Sequence, residues 1–259
     1  MTTLSVMIIT KNEAHDIAGC LDSISWADEI VVVDSGSTDN TVAICQTYTD
    51  KVQVTDWQGF GIQKNRALAM TTGDWVLSID ADERVTPELK LAIQTAIAAA
   101  GEAVAFSIPR RSTYCGKIIR FGDWRNDRVV RLFKRNHAKF CDSQVHEALQ
   151  VQGAVSALSA YLIHYAFKDR AEVMAKMEQY STLGAQQKYA AGKKATRFTA
   201  LSHGAWTFFR GYVLRLGFLD GIRGLQLAMS NAKGCYYRYI KLSSLLAASC
   251  DSASSARRR

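Results

Sequence analysis

An apolar run that stops abruptly at acids constrains this chain most: Trp75-Val76-Leu77-Ser78-Ile79 leads straight into Asp80-Ala81-Asp82-Glu83. A segment without polar alternation suits a strand buried on both faces. Two further runs share the pattern. Leu4-Ser5-Val6-Met7-Ile8-Ile9-Thr10 precedes Lys11-Asn12-Glu13, and Glu29-Ile30-Val31-Val32-Val33 stops at Asp34. Between them, apolar residues recur at Ala14, Ile17, Leu21 and Ile24, the spacing of a helix face. Ser35-Gly36-Ser37-Thr38-Asp39-Asn40 is turn chemistry with capping residues for a helix from about Thr41. A short strand over 52–57 and a helix over 62–70 follow. Strands alternating with helices predict an α/β fold with a mostly parallel sheet flanked by helices.

Ligands of such open sheets bind outside the carboxyl ends of the strands, where these acids lie. Alternate strand residues point the same way, so Asp80 and Asp82 are placed to share one cation. Paired carboxylates suit Mg²⁺ or Mn²⁺ carrying a substrate diphosphate. Alone, an Asp-x-Asp triplet more often marks a solvated turn.

Four segments occur together and in order: 5–13 (Ser-Val-Met-Ile-Ile-Thr-Lys-Asn-Glu), 31–39 (Val-Val-Val-Asp-Ser-Gly-Ser-Thr-Asp), 61–67 (Gly-Ile-Gln-Lys-Asn-Arg-Ala) and 80–83. In order and spacing they resemble the family-2 glycosyltransferases, whose GT-A fold is a single Rossmann-like domain binding a nucleotide-sugar and a divalent cation. The resemblance is specific over about residues 4–90 and extends more loosely to His146-Glu147 and the carboxy-terminal half. There the chain is similar to bacterial lipopolysaccharide core glycosyltransferases.

The resemblance implies roles residue by residue. Asp82 is expected to hold the metal, Asp80 to contact ribose or share the metal, and Ala81 to line the same donor site. Asp34 resembles the residue that grips the nucleoside; its other role is to cap the following turn. Thr10, Asn12 and Glu13 belong near base and ribose, although an acid at Glu13 also favours a helix amino terminus. Lys64 stands where the family has a cationic diphosphate contact, a solvated lysine being the alternative. His164, closing the apolar run Tyr161-Leu162-Ile163, matches a late histidine that in many GT-A enzymes completes the metal and diphosphate shell. A histidine beside such a run is also commonly structural.

Inverting transfer needs one base to take the acceptor hydroxyl proton. Glu147 is the first expectation, with Asp142 and Asp123 as alternatives; His146 orients the site or packs. The segment 121–134 carries Arg125, Arg128 and Arg131. These either bind phosphorylated acceptor sugars or protect an exposed strand edge.

The charge is uneven. Residues 197–259 hold 10 basic and 2 acidic side chains, so they carry the whole +8 excess of the 259-residue chain. Trp206, Phe208, Phe209, Tyr212, Phe218, Tyr236, Tyr237 and Tyr239 are interleaved with them, and Arg210 and Arg215 interrupt every apolar stretch. Basic helices with aromatic faces suit an anionic membrane surface or a helical subdomain packed on itself. With no recognition motif, nucleic acid is not an expected partner. The amino terminus enters a strand without a secretory h-region, and six cysteines show no Cys-x-x-Cys pair, as in a cytosolic protein with reduced thiols.

The sequence therefore predicts a GT-A domain over 1–168, a helical basic region over 169–248 and a disordered tail over 249–259. The expected activity is inverting, metal-dependent sugar transfer on the cytoplasmic face of the inner membrane, with the enzyme peripherally bound. UDP-glucose is the first donor expected, ADP-heptose the second, and a lipid A–core intermediate the acceptor. Transfer to a polyprenyl phosphate and a non-catalytic nucleotide-sugar or membrane-binding module are the alternatives.

Overall fold

The computed structural model describes residues 2–141 and 148–256, with the backbone alone for 249–256. Asp142, His146 and Glu147 lie outside the described residues. The elements are β1 (Leu4–Thr10), α1 (Ile17–Ile24), β2 (Glu29–Asp34), α2 (Thr41–Gln46), β3 (Val52–Val54), α3 (Phe60–Met70), β4 (Trp75–Asp80), β5 (Glu83–Val85), α4 (Pro87–Ala98) and β6 (Ala103–Tyr114). There follow β7 (Lys117–Ile118), β8 (Arg128–Lys134), β9 (Ala138–Phe140), β10 (Leu149–Val151), β11 (Ala154–Ala157), β12 (Leu162–Phe167), α5 (Arg170–Ala190), α6 (Arg197–Phe209) and α7 (Gly221–Ala256).

The chain divides into two compact units, 1–111 with 126–164, and 112–125 with 165–259. The second unit thus includes 112–125, the end of β6 and the β7 that pairs with it, together with the carboxy-terminal helices. α7 runs to Ala256, and residues 257–259 of the expected tail lie outside the described residues.

In the first unit the sheet order is β3-β2-β1-β4-β8-β6. β1 pairs parallel with both β2 and β4, and β2 with β3; β8 runs antiparallel to β4 and β6. Continuous apolar strands are explained by burial on both faces. Leu4, Val6 and Ile8 pack with Ile17, Leu21, Leu89 and Ile93 of α1 and α4. Met7, Val33 and Val76 face the other way, against Ala67 of α3 and Phe133.

Strand order matters for function. From β1 the chain winds outward to β2 and β3, then returns to place β4 on β1's other side. The strands therefore switch direction of winding between β1 and β4, and a crevice opens at such a point beyond the carboxyl ends. Register puts Ile9 beside Asp80 and Thr10 beside Asp34, so three expected site segments meet there.

The second unit has its own core of Tyr114, Ile119, Val173 and Leu227, with Trp124 and Phe167 stacked at 5.9 Å. Lys241 of α7 reaches Glu178, Ser181 and Thr182 of α5 and ties the two helices together. Among the described residues no helix is long and apolar enough to cross a membrane.

Candidate active site

Asp80 is the last residue of β4, and Ala81-Asp82 form the turn that follows, so strand alternation ends before Asp82. The two carboxylates accordingly take different partners. Asp80 meets Lys64 at 3.2 Å and is bonded by Arg131. Asp82 meets Nε2 of His164 at 3.2 Å. That pairing follows from the sheet: β5 and β12 run antiparallel with Glu83 opposite His164, which sets the imidazole beside the preceding residue, Asp82.

Beneath the turn lies a buried ionic network. Glu83 is fully buried and accepts from Arg131 at 3.0 Å, from Arg110 at 3.4 Å and from the Asp80 backbone N–H at 3.0 Å. Arg110 also donates to Asp127 at 2.7 Å. Buried charges persist only when paired and hydrogen-bonded. Burial alone would push the Asp80 carboxyl up, but the charges of Arg131 and Lys64 outweigh it and hold Asp80 well below the usual carboxylate range. Burial pushes the Glu83 carboxyl up, against the pull of Arg131. The Arg131 guanidinium, opposed by burial, is raised by Asp80 and Glu83.

The other strand ends form the rim. Asn12 adopts φ 56°, a left-handed conformation asparagine tolerates. Its backbone N–H donates to Ser37 at 2.7 Å, and its amide oxygen accepts from the Thr38 N–H at 2.8 Å. Glu13 donates its N–H to Thr41 at 2.8 Å, and its carbonyl accepts the N–H groups of Asp16 and of Ile17, the first residue of α1. Thr10 is buried, its hydroxyl lacking a hydrogen-bond partner. Cys20 of α1 lies below, its Sγ 3.5 Å from the Asp80 carbonyl oxygen, and burial drives its thiol far above the ordinary range.

The Glycosyl transferase family 2 model matches residues 5–150, the strand-end loops and the Asp80–Asp82 turn included. The chain belongs to glycosyl transferase family 2. A lipopolysaccharide core biosynthesis glycosyltransferase, LpsC of Rhizobium meliloti, is 32% identical over 91% of this chain and 93% of its own length. An uncharacterised glycosyltransferase of Rickettsia felis is 31% identical over 93% and 90%. Among solved structures, glucosyl-3-phosphoglycerate synthase from Mycobacterium tuberculosis, crystallised with Mg²⁺ and uridine diphosphate, shares 29% identity over 44% of each chain, with a TM-score of 0.37.

For this family-2 glycosyltransferase the structure brings Thr10, Asp34, Lys64, Asp80, Ala81, Asp82 and His164 to one end of one sheet. Asp34 caps the turn that follows it. It is fully buried, and its carboxylate accepts the N–H groups of Gly36 at 2.9 Å and Ser37 at 2.7 Å together with the Ser37 hydroxyl. Lys64 is 2% exposed, not solvated, and its ammonium also lies 5.6 Å from the Phe140 ring centroid. Asp123 belongs to the second unit, where it is held by Arg215 at 2.7 Å and Arg210 at 3.1 Å. β8 is not an edge strand, since β4 and β6 cover both its sides, and Arg131 is turned inward to Asp80.

Glu83, Arg110 and Arg131 are the residues that sequence reasoning missed as a group. A signal existed in Arg131 sitting mid-strand among Val129, Val130, Leu132 and Phe133, where only a buried counter-charge tolerates it. Asn65, next to Lys64, donates from its side-chain amide to the Phe140 carbonyl at 2.9 Å and accepts the Phe140 N–H at 3.0 Å, fixing β9 one residue before Cys141.

The donor set fits a divalent ion of modest demands. Asp82 and His164 supply a carboxylate and an imidazole, both partly exposed. Among the described residues no group of three or more His, Cys, Asp or Glu gathers for a metal. A carboxylate beside an imidazole could hold Mn²⁺, with Mg²⁺ resting on the carboxylate oxygen alone, the remaining positions being left to phosphate oxygens and water.

Proposed function

We propose that the chain is an inverting, metal-dependent glycosyltransferase that moves a sugar from a nucleotide-sugar to a lipid A–core acceptor. The observation carrying this reading is the Asp82–His164 pair beside the Lys64–Asp80–Arg131 cluster, all at the carboxyl end of β4 and next to the sheet's switch point. UDP-glucose is the donor favoured and ADP-heptose the second. The relative whose name carries lipopolysaccharide core biosynthesis, matched almost end to end, supports the acceptor class.

The residues divide the work. Asn12, Glu13 and the Ser37 loop shape the nucleoside end, and Asp34 holds that loop in form. Asp82 and His164 would hold a divalent cation, which offsets charge developing on the leaving nucleoside diphosphate. Arg131 and Lys64 hold Asp80 ionised and fixed beside the same turn. Glu147 takes the acceptor hydroxyl proton as the hydroxyl attacks from the face opposite the leaving group. Asp142 is the alternative base, because Asp123 already engages two arginines. The work is done peripherally at the cytoplasmic face of the inner membrane.

Purified protein offered UDP-glucose or ADP-heptose, with intact or delipidated core acceptor, tests this directly. Nucleotide release that rises with one donor and an intact acceptor is expected, as is a product of inverted anomeric configuration. No release from any nucleotide-sugar would refute the reading. Glu147→Gln should cut turnover about 10² to 10⁴-fold with donor affinity little changed; turnover at half of wild type or more would pass the role to Asp142.

A further inference from the structure

The hairpin of the second unit turns inside out. α6 ends at Phe209, and the chain then makes a π-helical turn over Arg210–Leu214 and a 3₁₀ turn over Gly217–Asp220 before α7 begins. Within 213–222, Val213, Leu214, Leu216, Phe218, Leu219 and Ile222 are all exposed, Ile222 by 65%. The one acid of this stretch, Asp220, is buried instead, and accepts the backbone N–H of Phe121 at 2.8 Å and of Arg120 at 3.1 Å. Water as the sole neighbour would favour the reverse arrangement.

The tip is also held firmly in this form. A Cβ on Gly224 would lie 1.9 Å from the Gly217 carbonyl oxygen, so the turn packs directly on the first part of α7. Leu216 adopts φ 59°, where glycine would be unstrained, yet the position keeps a large apolar side chain facing out. Trp206 and Phe209, at the end of α6, add two exposed rings 6.1 Å apart.

We propose that this tip is a monotopic membrane anchor. Leu214, Leu216, Phe218, Leu219 and Ile222 enter the acyl boundary of an anionic leaflet, and Arg223, adjoining them in sequence, serves the phosphates, with Arg215, half-exposed beside Asp123, at the rim. Charge selects a bilayer over a second copy of the chain. Within 206–223 the charged residues are Arg210, Arg215 and Arg223 against the buried Asp220, and Arg210 and Arg215 share the single carboxylate of Asp123, so the tip keeps an excess of positive charge. Two copies meeting through it would oppose like charges, whereas anionic headgroups complement it. The inference deepens the function proposed above by naming the element that delivers the enzyme to a lipid-anchored acceptor, and it rests on that reading for the choice of lipid.

Flotation with vesicles of phosphatidylethanolamine and phosphatidylglycerol, against phosphatidylcholine alone, tests it. Two variants, Leu214→Gln/Phe218→Gln and Leu219→Gln/Ile222→Gln, replace exposed side chains, and circular dichroism checks their fold. Each pair should lower partition into the anionic vesicles about a hundredfold, from the apolar area withheld from lipid. High salt should weaken wild-type binding only in part, because the apolar component is not screened. Vesicle-free nucleotide release should be unchanged in both variants. Flotation of the variants equal to wild type would overturn the anchor, as would a wild-type dimer in light scattering that either pair converts to monomer. Nucleotide release is scored separately, so a protein that floats as described but turns over no donor would refute the transferase reading alone.

Discussion

Asp80 and Asp82 are neighbours but one, yet the environment assigns them different tasks. Asp80 faces two cations and is held ionised, whereas Asp82 meets a single imidazole; both keep partial access to solvent. The isosteric change Asp82→Asn should therefore abolish transfer with little change in Tm. Chelator should do the same to the wild type, with Mn²⁺ or Mg²⁺ restoring it; full turnover in excess EDTA would exclude a metal role for Asp82. Arg131 carries a structural burden instead. Arg131→Met strands the buried Glu83 carboxylate and half-undoes the clamp on Asp80. Because Asp80 retains water, the low end of the range for broken buried pairs applies, about 3 kcal/mol in urea unfolding. Arg131→Lys, keeping the charge but losing the fork, should recover part of that stability. Equal urea midpoints for Arg131→Met and wild type would show that the network contributes nothing to folding.

At the scale of elements, Glu29 at the start of β2 staples three segments. Its carboxylate accepts from Ser5 of β1, from Lys51 ahead of β3, and from the Thr72 backbone N–H at 2.7 Å and hydroxyl at 2.9 Å. Burial pushes this carboxyl up, but the Lys51, Ser5 and Thr72 donors outweigh it and lower it from 4.5 to about 2. A depressed carboxylate adds stability that is complete above the unfolded value and is lost as the group protonates. Stability should thus fall between about pH 4.5 and 2. Glu29→Gln should flatten that limb and cost about 2 kcal/mol at neutral pH, discounted because Lys51 is half in water. An unchanged acid limb in the variant would remove Glu29 as its source.

The same scale explains what could be read from sequence. β1, β2 and β4 were legible because helices on both faces make buried parallel strands apolar throughout. The positions of Asp80, Asp82 and Lys64 then followed from the strand ends and the family pattern. β8 was not legible, because its inward Arg131 is neutralised by Glu83, a partner 48 residues away whose approach depends on strand order. The divided second unit escaped notice for a similar reason. Residues 112–125 take their core partners, Val173 and Leu227, from distant helices. Of the two roles that Asp34 showed in sequence, the cap is seen in its bonds to the Gly36 and Ser37 amides two and three residues on.

For the molecule as a whole, the two units separate two kinds of chemistry. In the first, Asp80 and Glu83 are paired with Lys64, Arg110 and Arg131 beneath the donor crevice. The second exposes its charge and its apolar tip. Each should therefore answer to its own ligand: nucleotide with cation should stabilise the first, whereas vesicles should leave nucleotide affinity unaltered.

Cys20 turns that distinction into a clock. A thiol sealed under the Asp80 carbonyl and driven far toward its protonated form is chemically silent until the nucleotide-binding layer opens. In a chain whose Cys115, Cys141, Cys235 and Cys250 are serine, iodoacetamide modification of Cys20, located by peptide mass, times those openings. Nucleotide-sugar and Mn²⁺ at a hundred times their Kd should slow it about a hundredfold, if opening requires the ligand to leave. Structure alone thus supplies a readout of donor occupancy that needs neither acceptor nor turnover.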